Sequence, residues 1–200
     1  MKKRVARIAL LAIPTLILAA GIAWWQIRNA SSPGNAALAS VGGPFELVDQ
    51  TGATVTEESW PGQYKFIAFG FTFCPDVCPT ELSQMAVTLD LLEEEDAAKV
   101  QPIFITIDPE RDTPEKLDAY VGLFHDRFVG LTGTPEQVAE AANAYRVYYQ
   151  KVETEGTDDY LMDHSAFIYL VDPEGTTVEI FPYGTSADDM AATIGNHLDA

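Results

Sequence analysis

The chain has 200 residues, with 12 lysines and arginines against 30 aspartates and glutamates, and a formal net charge of −18. This length allows one domain or at most two, and the acidic excess excludes a nucleic-acid-binding protein, whose phosphate contacts need clustered basic side chains. The hydrophobic content of 47% excludes a disordered chain, and the presence of only two cysteines excludes a scaffold of several disulfides.

An apolar segment stands near the N-terminus. Residues 8–25 carry no charged side chain, which is about the length that crosses roughly 30 Å of hydrocarbon as a helix. Four basic residues precede this segment, and Trp24 and Trp25 end it. The positive-inside rule therefore predicts that the N-terminus stays in the cytoplasm and that the chain after the segment is exported. A cleaved signal peptide is the alternative, favoured by the small residues at 37–39, but the apolar run is longer than such peptides have. We therefore predict an uncleaved membrane anchor over residues 1–28.

Residues 29–44 are small and turn-forming and show no periodicity, which predicts a flexible linker. The remaining residues, 45–200, are enough for one domain with a full hydrophobic core.

Strand and helix patterns then alternate along this domain. A strand at 45–48 turns into a hairpin with 53–56, and the near-continuous apolar run at 64–71 predicts a strand buried on both faces. A helix follows Pro79. The later predicted elements are a strand at 100–108, a helix opened by Thr113 and Pro114, a short strand at 129–131, a helix with a capping box at 134–137, strands at 147–152, 166–171 and 177–181, and a final helix from about 186. This order predicts an α/β fold with a mixed central sheet flanked by helices.

Cys74 and Cys78 lie in the segment FTFCPDVCPTE, between a buried strand and the next helix. Pro79 suits the first position of that helix, which would make Cys78 its N-cap. Free backbone N–H groups and the helix dipole stabilise a thiolate there and lower the pKa of either thiol. A purely structural disulfide is disfavoured, because closing so short a loop removes little entropy from the unfolded chain. The pair therefore indicates redox or metal chemistry.

Three histidines are available as a further ligand. His125 and His197 are interpreted as cations at helix C-termini. His164 precedes the strand at 166–171, where a loop at one end of the sheet would face the cysteine segment; a hydrogen-bonded loop histidine is the alternative. Two thiolates and one imidazole suit copper better than structural zinc, which normally takes four protein ligands.

The segment DPERDTP at 108–114 is the other dense polar stretch. It is interpreted either as a loop beside the site whose charges shape a docking surface, or as an Arg111 ion pair combined with a helix cap.

Three segments in this order, FGFTFCPDVCPTEL, ITIDPERDTPEKLDAY and DHSAFIYLVDPEG with FPYGTS after it, resemble the Sco/SenC family of copper-site assembly proteins. The resemblance covers residues 42–198 and includes the single N-terminal anchor. It implies a thioredoxin-like fold and a site for Cu(I) or Cu(II) formed by Cys74, Cys78 and His164.

The resemblance also implies a role in maturing cytochrome c oxidase. As a metallochaperone, the chain would receive copper from an upstream donor and deliver it to the dinuclear copper centre of subunit II. The alternative is a thiol-disulfide oxidoreductase that reduces the cysteines of that centre, with Cys74 and Cys78 as its catalytic dithiol. The Cys-x3-Cys spacing favours the chaperone, since conventional oxidoreductases have Cys-x-x-Cys. The expected location is the bacterial inner membrane, with the soluble domain in the periplasm and no nucleic-acid partner.

Overall fold

The computed structural model describes residues 37–153 and 160–199. The predicted membrane anchor lies outside the described residues, and among those described no helix is long and apolar enough to cross a membrane. The end of the predicted linker packs on the domain, because Gly42 N–H donates to the Ala144 carbonyl and the Thr177 hydroxyl donates to the Val41 carbonyl.

Seven strands form one mixed sheet in the order β2-β1-β5-β4-β3-β8-β9, and β6 pairs with β7 in a separate antiparallel ribbon. Strands β3, β4 and β5 are parallel, and the remaining pairings are antiparallel. The strands are β1 Glu46–Asp49, β2 Thr54–Thr56, β3 Tyr64–Gly70, β4 Val100–Thr106, β5 Val129–Thr132, β6 Tyr149–Glu153, β7 Tyr160–His164, β8 Phe167–Val171 and β9 Thr177–Pro182. The helices are α1 Val77–Leu91, α2 Glu94–Ala97, α3 Pro114–Val121, α4 Pro135–Ala144 and α5 Ala187–Leu198. The predicted α/β fold with a mixed central sheet is confirmed.

Strand β3 is the centre of the core, as its apolar sequence predicts. Alternate side chains of β3 enter two hydrophobic clusters, one on each face of the sheet. Ile67 and Phe69 pack with α4 on one face, whereas Phe66 and Ala68 pack with α1, α3 and α5 on the other. Burial on both faces explains why the strand carries an almost unbroken apolar run rather than an alternating one.

Three of the predicted helix starts are confirmed and one is wrong. Thr113 caps α3, Thr134 forms a capping box with Gln137 at the start of α4, and Ser186 caps α5. Helix α1, however, begins at Val77, so Cys78 is its second residue rather than its N-cap. Pro79 at the third position is tolerated, because the first four N–H groups of a helix have no partner within it.

The β6–β7 ribbon was only half predicted. Strand β6 begins at Tyr149, two residues later than expected, and β7 was missed, so His164 ends a strand instead of lying in a loop. Most ribbon side chains are exposed, and of the five residues of β7 only Met162 is buried. An exposed ribbon needs no regular apolar alternation, which is the signal that predicts a strand.

Asp112 joins the end of β4 to the segment that follows β3. Its fully buried carboxylate accepts hydrogen bonds from the Thr72 N–H at 3.0 Å, the Thr72 hydroxyl at 2.6 Å and the Thr106 hydroxyl at 2.6 Å. The segment that leads to Cys74 is therefore fixed to the sheet through one side chain.

We predict that Asp112→Ala lowers the free energy of unfolding by about 2–4 kcal/mol, because it leaves the part-buried Thr72 N–H and two hydroxyls without their acceptor. Urea unfolding followed by circular dichroism measures the change. The control is Asp118→Ala, an exposed aspartate of α3, which should change stability by less than about 0.5 kcal/mol. Equal effects of the two substitutions would contradict a structural role for the Asp112 hydrogen bonds.

Candidate metal centre

Three side chains meet at the end of the sheet where β3 finishes. The sulfurs of Cys74 and Cys78 and a ring nitrogen of His164 all lie within 4.8 Å of one another. The shortest contact joins Cys78 Sγ to His164 Nε2 at 3.4 Å. Cys74 lies in the loop between β3 and α1, Cys78 in the first turn of α1, and His164 at the end of β7. The structure thus brings together all three residues that the sequence singles out, with the two cysteines not disulfide-bonded.

The sulfur of Cys78 sits directly against the last residue of β3. Cys78 is 1% exposed, and a Cβ built on Gly70 would lie 2.6 Å from its sulfur and 2.9 Å from the Phe104 ring. Only glycine leaves room for this approach. The sequence analysis missed Gly70, although a glycine inside a strand pattern is a signal of close approach by another group.

The two thiols differ sharply in acidity. The Cys78 thiol, the His164 ring and the N–H groups of Cys78 and Asp76 hydrogen-bond to Cys74 and lower its pKa to about 3, although burial opposes this. The Cys78 N–H lies 3.5 Å from Cys74 Sγ, so that sulfur accepts one of the free amides of the first helical turn. The hydrogen bond to Cys74, burial and the adjacent thiolate raise the pKa of Cys78. The partly exposed Cys74 is therefore the thiolate of the pair.

The ring of His164 is oriented by the main chain. Its Nδ1 lies 2.9 Å from the Ser165 carbonyl, which leaves Nε2 facing the sulfurs. Burial lowers the pKa of His164, but hydrogen bonds to Cys74 and Ser165 and the charges of Cys74 and Glu81 outweigh it and raise the pKa overall. The Phe71 ring packs edge-on against the imidazole, with centroids 6.1 Å apart. Carbonyl, thiolate and aromatic contacts together fix the direction of Nε2.

Glu81 is a buried acid close to the site that sequence reasoning missed. It lies three residues after Cys78 on the buried face of α1, and its Oε1 has no hydrogen-bond partner among the described residues. Burial raises its pKa to about 7, with the Cys74 charge adding to the rise and the His164 charge opposing it. The spacing from Cys78 is the available sequence signal, since residues three apart share a helix face.

The interpretation of the 108–114 segment as an Arg111 ion pair with a helix cap is confirmed, and of the other interpretation the position beside the site is confirmed while the docking surface stays a prediction. Arg111 pairs with Asp108 and Thr113 caps α3, as the structural interpretation states. The loop also lies beside the site, because the Arg111 guanidinium is 5.1 Å from the centroid of the Phe73 ring, and Phe73 precedes Cys74 in the chain.

The other two histidines lie outside this centre. His197 occupies the last turn of α5, as predicted. His125 does not end a helix, because α3 stops at Val121; its Nδ1 accepts a hydrogen bond from the Arg127 N–H, and its Nε2 lies 3.8 Å from Asp90.

The fold and this cluster define a Sco-type protein. The family model for SCO1/SenC matches residues 33–199, and the chain belongs to that family. It is 44% identical over 169 residues to the SCO1 homolog 1 of Arabidopsis thaliana mitochondria, covering 84% of this chain and 49% of that protein. It is also 42% identical over 159 residues to the human mitochondrial SCO1 homolog, covering 79% and 53%. The chain thus spans about half the length of these two relatives.

Solved structures extend the similarity to three dimensions. Arabidopsis thaliana ScoI with copper bound has a TM-score of 0.75 and 40% identity, covering 80% of this chain and 99% of the solved one. Bradyrhizobium japonicum ScoI with copper bound has a TM-score of 0.72 and 44% identity, with coverages of 78% and 98%. BsSco, a member of the Sco family of cytochrome c oxidase assembly proteins, has a TM-score of 0.62 and 25% identity, with coverages of 80% and 94%. The expected likeness to the thioredoxin-like Sco fold is confirmed.

We predict that iodoacetamide alkylates Cys74 of the reduced, metal-free protein at a rate that is nearly constant between about pH 5 and pH 8, because its thiolate is already formed there. Mass spectrometry of timed samples measures the rate. Cys78→Ala removes the hydrogen bond that lowers this pKa most and should move the profile to higher pH. A wild-type rate that falls tenfold for each unit by which the pH is lowered from 8 to 5 would contradict the lowered pKa of Cys74.

Proposed function

We propose that this protein binds copper through Cys74, Cys78 and His164. The observation that carries the proposal is the placement of two sulfurs and Nε2 within 4.8 Å of one another in a chain of the SCO1/SenC family. The donors fit the metal, since soft thiolates suit Cu(I) and the same set with a further donor suits Cu(II). Copper-bound structures of two similar proteins support copper as the ion.

We further propose that the bound copper is cargo for the dinuclear copper centre of cytochrome c oxidase subunit II, supplied by an upstream donor. The membership of the similar BsSco in a family of cytochrome c oxidase assembly proteins supports this role. The exposures of the two cysteines suit a transfer protein, because Cys78 is buried while Cys74 is partly exposed. An acceptor thiolate can approach on the Cys74 side, while Cys78 and His164 keep the ion in place until it is exchanged.

The unequal thiols also favour a second candidate function, the reduction of cysteines in the same copper centre. The Cys74 thiolate would attack the partner's disulfide, forming a mixed disulfide and releasing one partner sulfur as a thiolate. Cys78, after passing its proton to the released partner thiolate, would then attack the Cys74 sulfur and release the second partner sulfur as a thiolate. The products are a Cys74–Cys78 disulfide and a reduced partner, so two electrons pass to the partner. In the mixed disulfide Cys74 is no longer a thiolate, so of the causes that raise the pKa of Cys78 the hydrogen bond to that thiolate and its charge are removed, while burial still raises it.

We also propose that residues 1–28 anchor the protein in a bacterial inner membrane, with the soluble domain in the periplasm. The uncharged run at 8–25 and the basic residues before it support this orientation. In an oxidising compartment the cysteine pair can cycle between dithiol and disulfide, which both candidate functions use.

We predict that His164→Ala lowers the copper affinity of the reduced protein more than about 100-fold, beyond the 10–100-fold typical of residues that only support a ligand. Competition with a Cu(I) chelator measures the affinity. Reduction of a model disulfide by the same variant should be largely retained, because both sulfurs are still present.

His197→Ala is the matched control, since this histidine lies in the last turn of α5 and should leave copper affinity unchanged. Equal copper affinities of the wild type and His164→Ala would eliminate the proposed site. Loss of disulfide reduction with intact copper binding would instead show that His164 serves the dithiol chemistry and not the metal.

We predict that deletion of residues 1–28 moves the protein from the membrane fraction to the soluble fraction, because the deleted segment contains the uncharged run. Cell fractionation and immunoblotting measure the distribution. The intact mass of the full-length protein should still include residues 1–28. A mature protein that begins after Ala39 would show a cleaved signal peptide instead of an anchor.

A further inference from the structure

We propose that Arg111 is a positioning residue of the copper site, which holds the strand that carries His164 against the loop that carries Cys74. This inference rests on the proposed binding of copper by Cys74, Cys78 and His164. We call residues 71–76 the cysteine loop, and strands β6 and β7 together the histidine ribbon.

The site is assembled from two parts of the fold that share no strand pairing. The cysteine loop continues from β3 in the main sheet, whereas β6 and β7 pair only with each other. Near His164 the ribbon is closed by bonds between the two residues that flank its strands, from Ser165 N–H to the Tyr148 carbonyl and from Tyr148 N–H to the Ser165 hydroxyl. Met162 packs in the hydrophobic cluster that contains Phe71 and Cys78, but most other ribbon side chains are exposed. Contacts at the other end of β7 add to this packing in setting the position of His164.

Those contacts converge on Tyr160, the first residue of β7. The Arg111 guanidinium lies 3.6 Å from the centroid of the Tyr160 ring, and its Nη1 donates to the Tyr160 carbonyl at 2.9 Å. Arg111 also pairs with the buried carboxylate of Asp108, which accepts a hydrogen bond from the Tyr160 hydroxyl at 2.7 Å. Ring, main chain and hydroxyl of Tyr160 are therefore all bound by the loop after β4.

The same guanidinium reaches the cysteine loop. It lies 5.1 Å from the Phe73 ring centroid and 5.8 Å from that of Phe71, within the range of cation–π attraction. Phe71 packs against the His164 imidazole, and the neighbouring Asp112 binds Thr72. One short loop thus touches both halves of the site, with Arg111 between them.

The chemistry of the contact requires arginine. Its planar guanidinium can stack on Tyr160 while its edge donates to a carbonyl and a carboxylate, which a lysine ammonium cannot reproduce. Nη2 is buried without a hydrogen-bond partner among the described residues, and such a donor weakens a fold. The guanidinium therefore keeps one buried donor unpaired while its other atoms contact aromatic rings of both halves of the site.

The test uses Arg111→Lys, which keeps the charge near Asp108, and Tyr160→Leu, which keeps the ion pair but removes the stacked ring and its hydroxyl bond to Asp108. We expect either substitution to lower the copper affinity of the reduced protein by about 10–100-fold, as loss of a group that orients a ligand does. In the metal-free protein we expect faster amide hydrogen exchange in β7, with exchange in α1 unchanged.

A double-mutant cycle separates positioning of His164 from a general effect on the fold. In the His164→Ala background, Arg111→Lys should change the residual copper affinity by less than about twofold, because the ligand that it positions is already absent. A tenfold loss in both backgrounds would overturn the proposal, since it would show an effect that does not pass through His164.

Arg127→Lys is the matched control. The Arg127 guanidinium also donates to carbonyls, those of Ala97 and Val100, but at the start of β4, the opposite end from the site. It should leave copper affinity unchanged. A wild type that binds no copper would refute the proposed function, while hydrogen exchange would still decide whether Arg111 holds the ribbon. If copper affinity and amide hydrogen exchange in the ribbon were both unchanged in the two test variants, the role of Arg111 would be refuted and the proposed copper binding would still stand.

Discussion

The packing of the Cys78 sulfur against the bare backbone of Gly70 is the constraint on which the rest of the site depends. It fixes the first turn of α1 on the end of β3, where a side chain of any size would collide with the sulfur. With Cys78 fixed, its N–H and thiol face Cys74 and its sulfur faces Nε2 of His164. The site is therefore built outward from one buried atom, and the partly exposed Cys74 completes it at the surface.

This arrangement makes two chemically identical side chains perform different tasks. Hydrogen bonds gather on Cys74 and favour its thiolate, while burial beside that thiolate favours the protonated form of Cys78. A thiolate next to an imidazole suits a soft metal ion, and a thiolate next to a protonated thiol suits disulfide exchange. One geometry thus supports both candidate functions, and the charge state of Cys78 separates them, since metal binding removes its proton whereas the first step of exchange does not.

The loop after β4 stabilises the site by binding both the cysteine loop and the histidine ribbon. Its Asp112 binds the cysteine loop through Thr72, and its Arg111 and Asp108 bind the histidine ribbon through Tyr160. Polar side chains add to the hydrophobic packing of Met162, because the two halves have no shared strand pairing. Buried hydrogen bonds and stacked rings are directional, so they set distances that apolar packing alone would leave loose.

The sequence by itself determined the features that depend on residues close together along the chain. The buried strand β3, the caps at Thr113 and Thr134, the β8–β9 hairpin and the reactive character of the cysteine segment follow from residues within one or two turns of one another. Only the tertiary structure decided which thiol is the thiolate, that His164 ends a strand missed by its weak pattern, and that Gly70, Glu81 and Arg111 belong to the site. The reason is separation along the chain: Cys78 and His164 lie 86 residues apart, and a contact between them exists only once the sheet, the ribbon and the loop that joins them have packed together.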